Sequence, residues 1–158
     1  MTVPTIEWSD GTVRLIDQTL LPHTEEVLEI TPPEQMVDAI KRLAVRGAPA
    51  IGVAGAYGVA LAAGRYGTDG PEFETAVARL RDARPTAVNR ARMVDRAATV
   101  AAEGADRVLE EADAIRREEL EASVAMGEIG ADLVLHLVGD RPIRAMTICN
   151  TGGLATVE

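Results

Sequence analysis

The chain has 158 residues, 47% of them hydrophobic but only 3% aromatic, and a net charge of −9. That length holds one domain, or one domain and part of another, around a core that must be built from Ala, Val, Leu and Ile. The acidic balance excludes a nucleic-acid surface, the single cysteine excludes an internal disulfide, and no Cys or His spacing suits a metal.

Met1–Trp8 shows no basic stretch followed by an apolar run, so no signal peptide is expected. The longest uncharged segment, Gly47 to Gly64, is short for a bilayer span and, being rich in Gly and Ala, only weakly apolar. A soluble, cytoplasmic protein without a membrane partner is expected.

In chain order, Thr5–Trp8 and Thr12–Ile16 read as a hairpin closed at Ser9-Asp10-Gly11, and Glu26–Ile30 as a third short strand. Thr31-Pro32-Pro33-Glu34 has the form of a capping box, with Thr31 as the cap. The helix that follows places Met36, Ile40, Leu43 and Ala44 on one face and is expected to run to Arg46-Gly47. Pro49 opens a second helix through Leu61, whose glycines at 52, 55 and 58 lie close to one stripe. Each costs about 1 kcal/mol of propensity relative to Ala, so another backbone or a ligand is expected to pack closely there.

Pro71–Ala83 reads as a helix with Phe73, Ala76, Val77 and Leu80 inward. Arg84-Pro85-Thr86 breaks and restarts the chain. Ala87–Glu103 and Ala105–Val138 are further helices divided by Gly104, the last with a kink or break expected near Gly127 and Gly130. Gly139–Pro142 is a turn, and Ile143–Cys149 is the one strong strand of the second half. A helix feeding an apolar strand that meets Gly152-Gly153 looks like the opening of an α/β domain.

Three places carry chemistry. Cys149, at the carboxyl end of the last strand and followed by Asn150-Thr151-Gly152-Gly153, is placed to face a crevice, although a lone Cys in an apolar strand is more often a small core hydrophobe. Arg46-Gly47-Ala48 precedes a helix N-terminus, where a charged fork and free N–H groups suit a phosphate; the plain alternative is that Gly47 and Pro49 merely punctuate two helices. Arg84 stands before another helix start, or is a solvated surface arginine. Asp17, Gln18 and His23 sit at strand ends and loops that often line pockets and as often line nothing. Arg116-Arg117-Glu118-Glu119 reads as a solvated face, with Asp113, Arg117 and Glu121 at i,i+4 spacing.

Together, Ile16-Asp17-Gln18-Thr19-Leu20-Leu21-Pro22, Val45-Arg46-Gly47-Ala48-Pro49-Ala50-Ile51-Gly52, Arg84-Pro85-Thr86-Ala87-Val88-Asn89 and Thr147-Ile148-Cys149-Asn150-Thr151-Gly152 follow the order and spacing of the S-methyl-5-thioribose-1-phosphate isomerases, which the whole chain resembles. The second and fourth segments mark the wider superfamily, which also holds ribose-1,5-bisphosphate isomerases and the regulatory subunits of the translation-initiation exchange factor. The first segment and Pro49-Ala50 favour the thioribose branch, since bisphosphate isomerases tend to read Arg-Gly-Ala-Gly.

The resemblance implies an α+β fold. A small N-terminal antiparallel sheet and a helical bundle would occupy residues 1–142, and residues 143–158 would open a Rossmann-like domain. It implies an aldose–ketose isomerase of methionine salvage that acts on a sugar phosphate without a cofactor and forms a homodimer. Cys149 matches the catalytic cysteine, and Arg46, Gly47, Ala48 and Arg84 match substrate ligands. The family's acid/base aspartate lies well downstream and has no counterpart here, so the segment alone is expected to be inactive. Alternatives are an isomerase of another pentose phosphate, or a non-catalytic, regulatory or sugar-phosphate-sensing relative. One departure follows Asn89: Arg90-Ala91-Arg92-Met93 stands where the family usually has apolar residues, which points to a changed pocket or interface.

Overall fold

Asp10-Gly11 sets the first turn. In the computed structural model, which describes residues 4–84 and 88–158, these two residues have φ of 47° and 81°, the pair of positive values that a two-residue I′ hairpin requires. The turn joins β1 (Ile6–Ser9) to β2 (Thr12–Ile16) with Ile6 opposite Leu15. β3 (Val27–Ile30) pairs antiparallel with the other edge of β2, so the sheet order β1-β2-β3 follows the chain. Alternation buries Ile6, Val13, Leu15 and Ile30 on one face. On the other face Arg14 bridges Glu7 at 2.7 Å and Glu29 at 3.8 Å.

The capping box does not form. α1 (Pro33–Lys41) has Pro32 as its N-cap, with φ −82° and ψ 141° and no side-chain cap. The second proline is the reason: the residue before a proline is held extended, and Pro32 itself stands before Pro33, so the boundary moves one residue on. Glu34 instead accepts a hydrogen bond from the Tyr66 hydroxyl at 2.7 Å. α1 also ends before Arg46. Leu43 turns left-handed (φ 63°), Ala44 N–H donates to the Ala39 carbonyl at 2.9 Å and Leu43 N–H to the Ile40 carbonyl at 3.3 Å. This is a Schellman closure made with a leucine, whose backbone cost of about 1–2 kcal/mol is offset by packing Leu43 against the core.

α2 (Ala48–Tyr66) is the axis of the fold. Every residue from Ala50 to Ala63 is buried, and β1, α1, α3 (Pro71–Asp82), α4 (Val88–Thr99) and α5 (Ala105–Val138) all pack on it. The glycine stripe receives side chains of neighbouring helices. A Cβ at Gly52 would stand 2.1 Å from Met93 Sδ, at Gly55 2.8 Å from Val94 Cγ2, and at Gly58 2.5 Å from Leu80 Cδ2. The Ala-rich α2 lets its neighbours approach closely, and the glycines make the grooves. No helix among the described residues is long and apolar enough to cross a membrane.

The helix expected over 87–103 is shorter. α4 stops at Thr99, whose hydroxyl donates back to the Arg96 carbonyl at 2.6 Å, and a 3-10 turn spans Ala101–Glu103 before Gly104 at φ 104°. Back-bonding of this kind competes with the helix ladder. α5 runs unbroken through Gly127 and Gly130. Its first half buries Val108, Ala112 and Ile115, whereas Met126, Ile129, Leu133 and Leu137 of its second half are exposed.

The face read as solvated is partly engaged. Arg96 on α4 bridges Glu111 at 2.6 Å and Glu118 at 2.5 Å on α5, and Arg107 holds the other Glu111 oxygen at 2.8 Å. Burial works against the charged form of Glu111, but the Arg107 and Arg96 hydrogen bonds outweigh it and hold its carboxyl below the usual range. A depressed folded-state pKa gives stability that is present above the unfolded value and lost as pH falls through the folded one. Glu111→Gln is therefore expected to cost about 1–3 kcal/mol at neutral pH, with the gap to wild type closing as pH falls below the ordinary glutamate value of 4.5. Thermal unfolding across that range checks it; a gap independent of pH would overturn it.

Ile143–Cys149 carries no strand pairing. A ladder needs a neighbour, and among the described residues no strand lies beside this segment, so Ile143, Met146 and Ile148 stay exposed. The sequence reading of a formed strand is corrected here. The chain then returns to the core through a 3-10 turn at Gly153–Ala155, burying Ala155 and Val157.

Candidate functional site

Three distant segments meet where the returning terminus docks. The first follows β2. Asp17 Oδ1 accepts from Thr19 N–H at 3.0 Å and Thr19 Oγ1 at 2.6 Å, and Oδ2 accepts from Arg42 at 2.7 Å. Burial opposes the Asp17 charge, but the Thr19 and Arg42 hydrogen bonds prevail and lower its pKa. This clamp fixes the loop that carries Leu21 and the cis Leu21–Pro22 bond. Gln18 N–H donates to the Ala44 carbonyl at 2.9 Å, which ties the loop to the second segment.

That second segment is the link between α1 and α2. Half-buried Arg46 is braced by its own turn, its Nε donating to the Leu43 carbonyl at 3.3 Å. Gly47 is the N-cap of α2 at φ 90° and ψ 138°, and no side chain caps this helix. Only glycine takes such a conformation without strain. Ala48, exposed, is the first helical residue.

The third segment is the terminus. Gln18 Nε2 donates to the Leu154 carbonyl at 2.8 Å, Thr5 Oγ1 to the Gly153 carbonyl at 3.1 Å, and Thr5 N–H to the Glu158 carbonyl at 2.9 Å. Arg116, expected to be solvated, reaches the Ile6 carbonyl at 2.9 Å and the Val157 carbonyl at 3.3 Å. Its role was hidden in sequence because its partners are backbone atoms 110 and 41 residues away. Ala155 lies directly on Gly47, so close that a Cβ there would be 2.5 Å from Ala155 Cβ.

Between the segments lies a cavity of about 250 Å³ lined by Gln18, Leu21, Pro22, Arg46, Asn150 and Thr151, with Leu154 and Ala155 behind. A guanidinium, two amides, a hydroxyl and the positive end of a 19-residue helix near it make an anion and polyol environment. Gln18, only a weak candidate in sequence, is buried and central. Cys149 is exposed, in a bend at φ 71°, next in sequence to Asn150 but not in the lining. Arg84 is also outside the lining; its carbonyl accepts from Arg90 Nη1 at the end of α3. Pro85, Thr86 and Ala87 lie outside the described residues. His23 is exposed. Arg90 is buried and donates to the Arg81 and Arg84 carbonyls, whereas Arg92 is exposed. The first of the two unusual arginines is thus an internal fastening of α3.

The helical domain with its small antiparallel sheet is shared with known proteins. Residues 44–157 match the model of the initiation factor 2 subunit family, and the chain belongs to that family. It is 46% identical over 155 residues to a Nocardia farcinica protein named "Probable bifunctional methylthioribose-1-phosphate isomerase/methylthioribulose-1-phosphate dehydratase", covering 96% of this chain and 28% of the relative. It is 42% identical to the methylthioribose-1-phosphate isomerase of Alcanivorax borkumensis, covering 96% of this chain and 44% of that one. Among solved structures, 5-methylthioribose 1-phosphate isomerase from Pyrococcus horikoshii superposes with a TM-score of 0.76 at 34% identity, over 84% of this chain and 41% of that chain. Translation initiation factor eIF-2B, subunit delta, from A. fulgidus gives 0.71 at 38% identity, over 99% and 48%. The chain therefore spans less than half the length of these relatives, matching an N-terminal part.

Proposed function

We propose that the chain supplies the phosphate-binding half of an aldose–ketose isomerase acting on S-methyl-5-thioribose 1-phosphate and yielding S-methyl-5-thioribulose 1-phosphate, a step of methionine salvage. The observation that carries this is the meeting of Gln18, Arg46 and Asn150-Thr151 around one cavity, in a chain whose relatives bear the isomerase name. In this reading Arg46 and the N–H groups at Gly47-Ala48 hold the phosphate, Arg84 approaches the sugar from the α3–α4 link, and Gln18 and Asn150 orient hydroxyls. Cys149, one residue from the lining, stands at C1 and C2 of the opened sugar, where a proton or hydride moves between the two carbons. The acid that serves the ring or carbonyl oxygen belongs to the remaining family length. In the same reading residues 143–149 become the first strand of a Rossmann-like domain once partner strands stand beside them. The enzyme is then a cytoplasmic homodimer that needs no cofactor.

Residues 1–158 alone are expected to show no turnover above a Cys149→Ala control. Spliced to the C-terminal part of the Alcanivorax borkumensis relative, they are expected to isomerise methylthioribose 1-phosphate, with Cys149→Ala abolishing activity. A spliced protein that folds and binds the sugar phosphate without turnover would favour a second reading, a non-catalytic regulatory or sensing subunit. The family's name and the likeness to the eIF-2B delta structure support that reading.

A further inference from the structure

The loop after β2 carries three residues of the cavity lining, Gln18, Leu21 and Pro22. Much of its hydrogen bonding closes on itself. Leu20 N–H donates to the Asp17 carbonyl at 3.3 Å, and His23 and Thr24 N–H both donate to the Leu20 carbonyl at 3.1 Å. Two contacts instead cross to the end of α1. Gln18 N–H reaches the Ala44 carbonyl at 2.9 Å, and Arg42 Nη1 donates to Asp17 Oδ2 at 2.7 Å. Arg42 and Ala44 flank Leu43, whose carbonyl holds Arg46 Nε. The loop is thus pinned to the short stretch that braces Arg46 beside the cavity.

Asp17 does more than shape its own turn. Both Thr19 donors go to Oδ1, and an asparagine oxygen would accept them as well. What only an aspartate supplies there is a second, charged oxygen for the Arg42 guanidinium. That charge has a cost, because the Asp17 side chain is 5% exposed and a carboxylate withdrawn from water needs charged or hydrogen-bonding partners. In return, a charge-assisted bond holds the two segments more firmly than a neutral one. Neither Asp17 nor Arg42 lines the cavity, so neither is placed as a ligand.

We propose that Asp17 and Arg42 are positioning residues for the cavity at Arg46. Their pair sets the register between the β2–β3 loop and the α1–α2 link, and with it the separation of Gln18 from Arg46 that a sugar phosphate spans. The proposal rests on the reading of that cavity as the phosphate site. Without the pair, each segment keeps its own turn, and the Gln18–Ala44 bond holds them together. A slip of about 1 Å then takes an ordinary hydrogen bond to a bound anion out of range.

The test is titration of the 158-residue protein with methylthioribose 1-phosphate and with inorganic phosphate, by calorimetry, well below each variant's melting temperature. Asp17→Asn and Arg42→Met are each expected to weaken binding by the folded protein about tenfold. Arg42→Lys, a point charge without the fork, is expected to fall between. Glu111→Gln, which loses stability far from the cavity, is expected to bind as wild type does. In an Arg46→Ala background, Asp17→Asn is expected to add less than about twofold, because the two act as one unit. Wild-type affinity in folded Asp17→Asn overturns the proposal, as does a full tenfold loss added to that of Arg46→Ala. If wild type and Arg46→Ala bind alike, or neither binds, the phosphate-site reading fails and takes this proposal with it. If Arg46→Ala weakens binding and Asp17→Asn does not, the positioning role alone fails. Should Asp17→Asn not fold, the variants of exposed Arg42 decide by the same comparison.

Discussion

Replacing Gly47 by alanine is expected to lower the melting temperature by about 5–10 °C and to release the Gly153–Glu158 terminus. Two costs combine. At φ 90° and ψ 138° a side chain strains the backbone by about 1–3 kcal/mol. The added Cβ would also stand 2.5 Å from Ala155 Cβ, 2.7 Å from its Cα and 3.0 Å from its carbonyl oxygen, which no rotamer relieves. A loss of about 2–3 kcal/mol corresponds to that temperature shift in a chain of this size. Gly104→Ala separates the two costs, because Gly104 has φ 104° but open space around it, so it suffers the strain without the clash. The expected order is wild type, then Gly104→Ala, then Gly47→Ala, with faster proteolysis of the terminus only in the last. Equal losses in both variants and an unchanged terminus would show that the Gly47–Ala155 approach has slack.

Arg46→Ala, in an enzyme carrying this segment with the rest of the family's length, is expected to raise KM about 10–100-fold and to change kcat little. The phosphate does not react, so its contacts are the same in ground and transition states, and their loss appears as uniform binding. The magnitude follows from about 1.5–3 kcal/mol for hydrogen bonds to a charged group. The geometry favours the role: Nε is occupied by the Leu43 carbonyl, which fixes the side chain and leaves the two terminal nitrogens for an anion in the cavity. Arg46→Lys keeps the charge but loses the fork, so an intermediate KM is expected. Steady-state kinetics on the three proteins is the check. An unchanged KM in Arg46→Ala would reduce Arg46 to a brace for its own turn.

What the sequence determined by itself are the features whose causes are local. Asp10-Gly11 specified the hairpin because two adjacent residues that tolerate positive φ are all that turn needs. Val13 and Leu15 named the buried face through strand alternation, and Pro49 and Pro71 marked the first turns of two helices. The stripe at Gly52, Gly55 and Gly58 foretold close packing, since glycines that cost propensity need a neighbour to justify them. The segments around Gln18, Arg46 and Asn150 were legible as candidates one by one. Their meeting was not, because it is made by backbone carbonyls of Ala44, Leu154 and Val157 that have no sequence signature. For the same reason Arg116 read as a surface charge and Arg90 as a changed pocket or interface: each is spent on main-chain oxygens of another segment. The Pro32-Pro33 pair moved the α1 cap to Pro32 for a local reason that the capping-box pattern had hidden, whereas packing against the core ended α1 with Leu43 in a left-handed turn. The apolar run Ile143–Cys149 had the composition of a strand, but a strand is a pairing, and pairing is decided by what stands beside it in space.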